Sequence, residues 1–389
     1  MSQVAFQFLS KTAITFGSGS SQLLAEELTK RGLQKPLLLT DNGLIESGLV
    51  KAISKVLENS DIAFKLFSDI PPNPPSTVVH TVVDQINQNG CDAIIALGGG
   101  SVIDTAKAAS VLSMHDGDIL EYESTRSFSK PGLPLLVIPT TSGTGSEVTM
   151  WSVITDETKK RKASIGSPFM FPDLALVDPL LLHGLPPHLT AATGMDALTH
   201  AIEGYTSIHS LNGKAPLTDA ILLQAIRLLS ASLRQAVSQG TNALAREQTM
   251  AGSLLAGIAF QNVGLGNAHA LAHALGGRIG IPHGVANAIA LPEVMMFNLR
   301  ACPDRFKEIA AALDENVTGL STIAAAERAV EAVRQLRLDL EIPTLSTYNV
   351  QETEWEALAV EAFQDMNRFT NPRQTSQDQL LALYKQMNK

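Results

Sequence analysis

The stretch "DAIIALGGGSVIDTAK" runs from Asp92 to Lys107. Six residues of apolar character, Asp92–Leu97, end in three consecutive glycines, Gly98, Gly99 and Gly100, and a helical pattern opens directly behind them. A short apolar run of this length, bounded by glycine, reads as a strand buried on both faces. Glycines between a strand and a helix let backbone N–H groups approach phosphate oxygens, with the helix N-terminus adding partial positive charge. The same sequence also suits an ordinary tight strand–helix turn. It is not the GxGxxG fingerprint, because Ile103 stands where the third glycine would be, and no Gly-Lys-Ser/Thr follows as in a P-loop.

The same alternation extends on both sides. "PLLLT" (Pro36–Thr40) precedes the helical pattern of "LIESGLVKAISKVLEN", and "AFKLF" (Ala63–Phe67) precedes a helical stretch from Ser76 to Asn89. "PLLVIP" (Pro134–Pro139) and "PDLALVD" (Pro172–Asp178) complete the set. Apolar runs alternating with helical segments predict βαβ units, a parallel sheet and a Rossmann-like α/β domain. After "GLPPHL" the texture changes: from about Pro187 the segments are long, Ala/Leu-rich and helical, as in "LTDAILLQAIRLLSASLRQAVSQG". The expected organisation is an α/β domain over residues 1–185 and an all-α domain over 186–389. There is no internal repeat and no low-complexity linker.

Composition narrows the function classes. The chain has 389 residues, 45% hydrophobic, with a net charge of −9. The short "KKRK" at Lys159–Lys162 is the one basic run, so neither nucleic acid nor an acidic membrane surface is an expected partner. The two cysteines, Cys91 and Cys302, form no CxxC pair. The start "MSQVAFQFLSK" lacks the layout of a signal peptide, and no window approaches about 18 uninterrupted apolar residues. The expectation is a soluble, cytoplasmic protein.

Two further features sit at strand ends, where open α/β sheets bind ligands. "PTTSGTGSE" (Pro139–Glu147) carries five hydroxyls and two glycines in nine residues, a composition suited to a diphosphate or amide as well as to a plain turn. Asp41 ends "LLLTD"; there it serves as a cap, or it accepts hydrogen bonds from ribose hydroxyls and repels a 2′-phosphate, favouring NAD over NADP.

The helical half holds a second chemistry. "GMDALTHAIEGY" places Asp196 and His200 at i, i+4 on one helix face, "NAHALAHALGG" places His269 and His273 at the same spacing, and "IPHG" adds His283. Imidazole and carboxylate suit divalent Fe, Zn, Mn, Co or Ni. A lone core histidine is usually just hydrogen-bonded, but burying several unpaired in an Ala/Leu-rich region costs several kcal/mol, which favours a shared ion. Glu203, i+7 from Asp196, is a competing ligand ranked below it. His80, His115, His183 and His209 form no such pairs.

Taken together, "GGGSVIDTAK", "PTTSGTGSEVT", "TAATGMDALTHAIE", "NVGLGNAHALAHALG", "IPHGVANAIALP" and "TNPRQ" (Thr370–Gln374) resemble the motifs of the iron-containing (group III) alcohol dehydrogenases, in family order along nearly the whole chain. The resemblance implies a dehydroquinate synthase-like architecture: a dinucleotide domain followed by a helical domain that carries the metal. It implies hydride transfer between nicotinamide and a short-chain alcohol, diol or aldehyde, and a homodimer or larger homo-oligomer. Carried over by motif, the metal ligands are Asp196, His200, His269 and His283, with Fe2+ the first expectation and Zn2+ the second. His273 is implied not as a ligand but as a residue facing nicotinamide and substrate, either relaying a proton or simply packing. Asp41, Asn73, Gly98, Gly99, Gly100, Ser101, Thr140, Thr141, Thr149 and Lys162 are implied around the cofactor. Trp151, Phe260 and Asn367 map to the substrate pocket, where the indole of Trp151 departs from the smaller or polar residues frequent in short-chain members. One carboxylate and three neutral imidazoles leave a divalent ion with open positions, the catalytic rather than the closed arrangement. Competing readings are a glycerol dehydrogenase, a dehydroquinate synthase-like lyase, which needs a basic cluster not seen beside the ligands, and a nucleotide-binding protein with a structural metal.

Overall fold

A computed structural model describes residues 6–159 and 161–388. The first residues of the amino-terminal stretch and Lys160 of "KKRK" lie outside the described residues. The chain divides into two compact units, one over Ser10–Leu185 and one over Pro186–Lys389 together with the residues before Ser10. Residues 6–9 therefore pack with the helical unit, where the expectation had them in the α/β domain. Phe6 is apolar and lies against the helical core, and the backbone of Leu9 bonds to Asn262 Oδ1 and Gln261 Nε2 at 2.7 and 3.1 Å.

In the α/β unit the strands are β1 (Ala13–Phe16), β2 (Pro36–Leu39), β3 (Lys65–Phe67), β4 (Ala93–Gly98), β5 (Leu135–Pro139), β6 (Trp151–Asp156), β7 (Arg161–Gly166) and β8 (Leu174–Val177). Six form a parallel sheet in the order β1-β8-β5-β4-β2-β3. Its helices are α1 (Leu24–Lys30), α2 (Asn42–Glu46), α3 (Leu49–Glu58), α4 (Ser76–Asn89) and α5 (Gly100–Leu112). Side chains alternate across a strand, so Leu38, Ile95, Leu97, Leu136 and Ile138 meet Leu24, Leu28, Ile53 and Leu57 of α1 and α3 on one face. Helices α4 and α5 lie side by side, with α5 against β4 and β5.

Three local readings change. The pattern over Leu44–Asn59 is two helices, because Gly48 turns into the left-handed region at φ 83° between α2 and α3. Strand β3 covers only the last three residues of "AFKLF", at the sheet edge. The antiparallel hairpin β6–β7, with Trp151 opposite Gly166, and the short edge strand β1 are absent from the sequence reading. Both lack a long apolar run, and pairing with another segment of the same chain makes them strands.

The helical unit is built from α6 (Pro187–Thr206), α7 (Pro216–Ser238), α8 (Ala243–Phe260), α9 (Asn267–Ala274), α10 (His283–Asn298), α11 (Pro303–Ala312), α12 (Thr322–Asp339), α13 (Trp355–Gln364) and α14 (Gln377–Met387). Helix α7 has the length and composition of a membrane span, yet its Leu222, Ile226, Leu229 and Leu233 sit in the core of this unit. Helix α6 is central, contacting α7, α8 and α10, and sixteen of its twenty residues are buried. Small residues permit that crowding. A Cβ on Gly284, beside His283, would lie 2.3 Å from the backbone oxygen of Ala192, so glycine brings the start of α10 onto α6. Between α9 and α10 the chain makes a single π turn, Leu275–Ile279, and reverses at Gly280, φ 81°. That turn lets both helices present a histidine toward α6.

Gly284→Ala is expected to push α10 off α6 and lower stability by about 1–3 kcal/mol, the usual range for overpacking. Thermal unfolding monitored by circular dichroism checks it, and an unchanged midpoint contradicts the close approach.

Candidate functional site

The α/β unit gathers most of the residues expected around a cofactor. Chain order reverses between β2 and β4, since β3 lies beyond β2 on one side and β5 beyond β4 on the other. Such a switch point opens a crevice at the carboxyl ends of the strands. Asp41 lies just past β2, and Gly98 to Ser101 join β4 to α5. Thr140 and Thr141 follow β5, and the Thr140 backbone N–H donates to Gly98 O at 3.1 Å. A Cβ on Gly99 would sit 3.2 Å from the Thr141 side chain, and one on Gly100 only 2.7 Å from Thr144, so the two glycine-rich loops pack directly on each other. Lys162 on β7 donates to Asn73 Oδ1 at 2.7 Å, which joins two more of the expected residues. Burial pulls the Lys162 ammonium down to about 8, against the attraction of Asp104.

Two members have local duties. Asp41 Oδ1 accepts the Leu44 N–H at 3.0 Å and caps α2, the bland role open to a strand-end aspartate. Thr149 is buried, and its hydroxyl meets the Lys107 ammonium at 3.1 Å. Lys107 is the feature missed in the sequence. Fully buried, it also donates to Ser146 Oγ at 2.7 Å and Trp151 O at 2.8 Å, with Asp104 Oδ1 at 3.9 Å. Asp104 in turn accepts from Ser146 Oγ and from the Val153 N–H at 2.9 Å. Burial pulls Lys107 down to about 8 and pushes the nearby Glu147 up to about 7. The signal lay in "GGGSVIDTAK": Asp104 and Lys107 are i, i+3 on α5.

In the helical unit, Asp196, His200 and His269 bring one donor atom each to within 4.8 Å of one another. Asp196 Oδ1 is 3.9 Å from His269 Nε2 and 3.5 Å from His283 Nε2, so His283 is within reach as a fourth. His200 lies flat between Phe260 (4.4 Å between centroids) and His269 (4.6 Å). His269 Nδ1 bonds to Glu203 Oε2 at 2.7 Å, whereas its buried Nε2 has no hydrogen-bond partner. A buried polar atom is almost never left so, because its desolvation goes uncompensated. An orphaned imidazole nitrogen aimed at a carboxylate and two imidazoles is the donor set of a divalent cation, whose ligand atoms lie roughly 3–3.5 Å apart for bonds near 2.1 Å. The residues fit such an ion.

The groups around these four were not legible as such. Glu203, ranked as a rival ligand, holds the other nitrogen of His269, Nδ1. Asn287 Nδ2 donates to Asp196 Oδ1 at 2.7 Å and lies 3.1 Å from His283 Nε2. His273 is turned differently from His269: its Nδ1 meets Asp365 Oδ2 at 2.6 Å, while its ring stacks on His283 with centroids 5.3 Å apart. Asn367, expected at a pocket wall, donates through its backbone N–H and Nδ2 to Asp365 Oδ1 at 2.8 and 2.9 Å. Phe260 packs on His200, and Trp151 opens the hairpin of the α/β unit. Burial pushes His269 well below the usual histidine range, and the neighbouring imidazoles of His200, His283 and His273 push the same way. Burial raises the Asp365 carboxyl, but His273 and Asn367 outweigh it and hold it below its ordinary value.

Comparison with known proteins gives the family. Residues 11–179 match the model of the iron-containing alcohol dehydrogenases, and residues 190–388 match that of the C-terminal part of the Fe-containing alcohol dehydrogenase family. A 1,3-propanediol dehydrogenase of Klebsiella pneumoniae is 41% identical over 389 residues, 99% of this chain and 100% of that protein. An NAD-dependent methanol dehydrogenase of Bacillus methanolicus is 40% identical over 94% of this chain and 95% of its own length. The crystal structure of a 1,3-propanediol oxidoreductase superposes with a TM-score of 0.95 at 41% identity, covering 99% of this chain and all of that one. The chain belongs to the iron-containing alcohol dehydrogenase family. It is an alcohol oxidoreductase of that family.

Removing the buried cation alone leaves the buried Asp104 carboxyl without its nearest positive charge. Lys107→Met is therefore expected to cost about 3–5 kcal/mol, and the double variant Asp104→Asn/Lys107→Met distinctly less. Denaturant titration of these two and of Asp104→Asn checks the ordering, which fails if the double loss equals the sum of the singles.

Proposed function

We propose that the chain is a metal-dependent, NAD(H)-linked alcohol dehydrogenase and aldehyde reductase acting on a short-chain alcohol or diol. The α/β unit is the NAD-binding domain in this reading, and the helical unit is the metal-binding, catalytic domain. The observation that carries it is His269 Nε2, buried, unpartnered and directed at Asp196 beside His200 and His283. In this reading Asp196, His200, His269 and His283 hold the ion, Fe2+ first and Zn2+ second. The names of the relatives, a propanediol and a methanol dehydrogenase, support small alcohols as the substrate class.

When bound, a divalent ion supplies Lewis acidity toward a substrate oxygen and the nicotinamide supplies the hydride acceptor. The chain's own residues prepare the rest. Glu203 keeps the proton of His269 on Nδ1, so Nε2 presents a lone pair, and burial keeps that imidazole neutral near pH 7. Asp365 does the same for His273 by accepting at Nδ1, which leaves His273 Nε2 to take a proton from a substrate hydroxyl, directly or through water. Phe260, flat against His200, keeps water off one side of the cluster. Gly98 to Ser101, Thr140 and Thr141 line the crevice for the diphosphate, Asn73 and Lys162 form one bonded pair beside it, and Thr149 acts from beneath through Lys107. Asp41, at the β2 side of the switch point, repels a 2′-phosphate and favours NAD over NADP. Phe260 and Asn367, both in the helical unit, border the substrate in this reading. The reading extends to a cytoplasmic homodimer or larger homo-oligomer that works without nucleic acid or membrane.

Replacing His269 with alanine is expected to remove bound metal and reduce turnover at least 10³-fold, the scale of losing a ligand whose geometry the reaction needs. Elemental analysis together with NADH absorbance over a panel of short alcohols, diols and aldehydes tests this. Full metal occupancy with normal turnover sinks the ligand assignment, and a metal-replete protein inactive on the whole panel favours a structural metal instead. Asp41→Gly is expected to raise the NADP/NAD ratio of kcat/KM about tenfold or more while losing only about 0.3 kcal/mol of stability with the α2 cap, since glycine is itself a tolerable N-cap. An unchanged ratio counts against the ribose role.

A further inference from the structure

The motif "TNPRQ" has no part in the chemistry described so far, and the start of α9 shows what it does. A helix begins with several N–H groups that lack intrahelical partners. Here the residue before α9 is Gly266, which has no side chain to cap them. Two distant side chains do it instead. Glu203 on α6 accepts from the N–H groups of Gly266 at 3.0 Å, Ala268 at 2.6 Å and His269 at 3.4 Å. Asn371 of the motif accepts the remaining one, Asn267 N–H, through Oδ1 at 3.2 Å. The side chain of Asn267 reaches the same segment, donating to Thr375 Oγ1 at 2.7 Å.

The motif is itself anchored at the far end of α10. Asn371 and Asn298, the last residue of α10, exchange two amide hydrogen bonds of 2.8 Å each. Arg373 donates to Phe297 O at 2.9 Å and lies 4.0 Å over the Phe297 ring. Asn371 and Glu203 are buried, so these bonds are not shared with solvent. A Cβ on Gly266 would stand 2.7 Å from Glu203 Oε1 and 2.9 Å from Asn371 Oδ1, so the absent side chain is what admits both acceptors. Asn371 thus ties the first turn of the helix bearing His269 to the end of the helix that begins with His283, and Glu203 ties it to the helix bearing Asp196 and His200.

We propose that Asn371 and Glu203 are positioning residues that together form a remote cap on α9 and set the height and rotation of His269 for metal binding. The inference rests on the ligand reading above. Its test uses Co2+ as the probe, with the full-length metal-free protein, a chromophoric chelator as competitor and the visible spectrum of bound Co2+. Asn371→Ala and Glu203→Gln are each expected to weaken Co2+ binding about 10–100-fold and to shift the Co2+ bands, as loss of a ligand's outer support does. Glu203→Gln keeps the volume and an acceptor oxygen, so it remains informative if Asn371→Ala does not fold. Ser321→Ala is the control, since it removes the cap of α12, where Ser321 Oγ accepts the Ala324 N–H at 3.2 Å. It is expected to lower thermal stability while leaving Co2+ affinity and spectrum unchanged. If the two cap variants hold Co2+ within about twofold of the parent, with only thermal stability reduced, while His269→Ala has lost it, the positioning role is overturned and the ligand reading stands. Undiminished Co2+ binding by His269→Ala overturns both.

Discussion

The imidazole of His269 is buried with one nitrogen committed to Glu203, and the other must be satisfied by something among Asp196, His200 and His283. Much of the helical unit follows from that demand. Helix α6 carries the carboxylate, one imidazole and the glutamate on consecutive turns, so it must be buried along nearly its whole length. Helices α9 and α10 must approach it closely enough to deliver their histidines, which explains the glycine at 284 and the π turn between them. Aliphatic packing supplies the stability, while the polar cluster dictates which helices may touch. A buried set of this kind is costly unless every atom finds a partner, and this is why it selects one arrangement among the many that Ala/Leu-rich helices could adopt.

The α/β unit solves a related problem with the opposite charge. Its two glycine-rich loops need backbone exposed at the strand ends, and exposed loops are free to move. Lys107 restrains them from below, drawing Ser146, Thr149 and Trp151 to one buried ammonium. The close approach of Gly99 and Gly100 to Thr141 and Thr144 restrains them from the side. The loops are thereby preformed, and binding a nucleotide need not carry the entropy of ordering them.

The readings that failed share a cause. Strand β1 and the β6–β7 hairpin are made by pairing with segments far along the chain or across a turn, and their own residues carry no strong apolar run. The break at Gly48 turns on a single left-handed residue inside an otherwise continuous helical period. The amino-terminal residues joined the helical unit because of where Phe6 and Leu9 find partners, which position in the chain does not reveal. Asp365 and Asn287 carry no local signature, since each acts on a residue more than 90 positions away.

Periodicity and residue type were sufficient for the parallel sheet and the helical half, because apolar runs and i, i+4 pairs are local properties, while the family was legible as a resemblance of motifs. They also brought forward the histidines and Asp196, since ligand chemistry is written in residue type. The resemblance already set His273 apart from His269, but only the tertiary structure shows where each ring is held. Both lie on one short helix at ligand spacing, yet one Nδ1 meets Glu203 from α6 and the other meets Asp365 after α13. Both partners are carboxylates, but they hold the rings in different places, His269 with Nε2 toward Asp196 and His273 stacked on His283, and that placement is a property of packing that spacing along one helix cannot express.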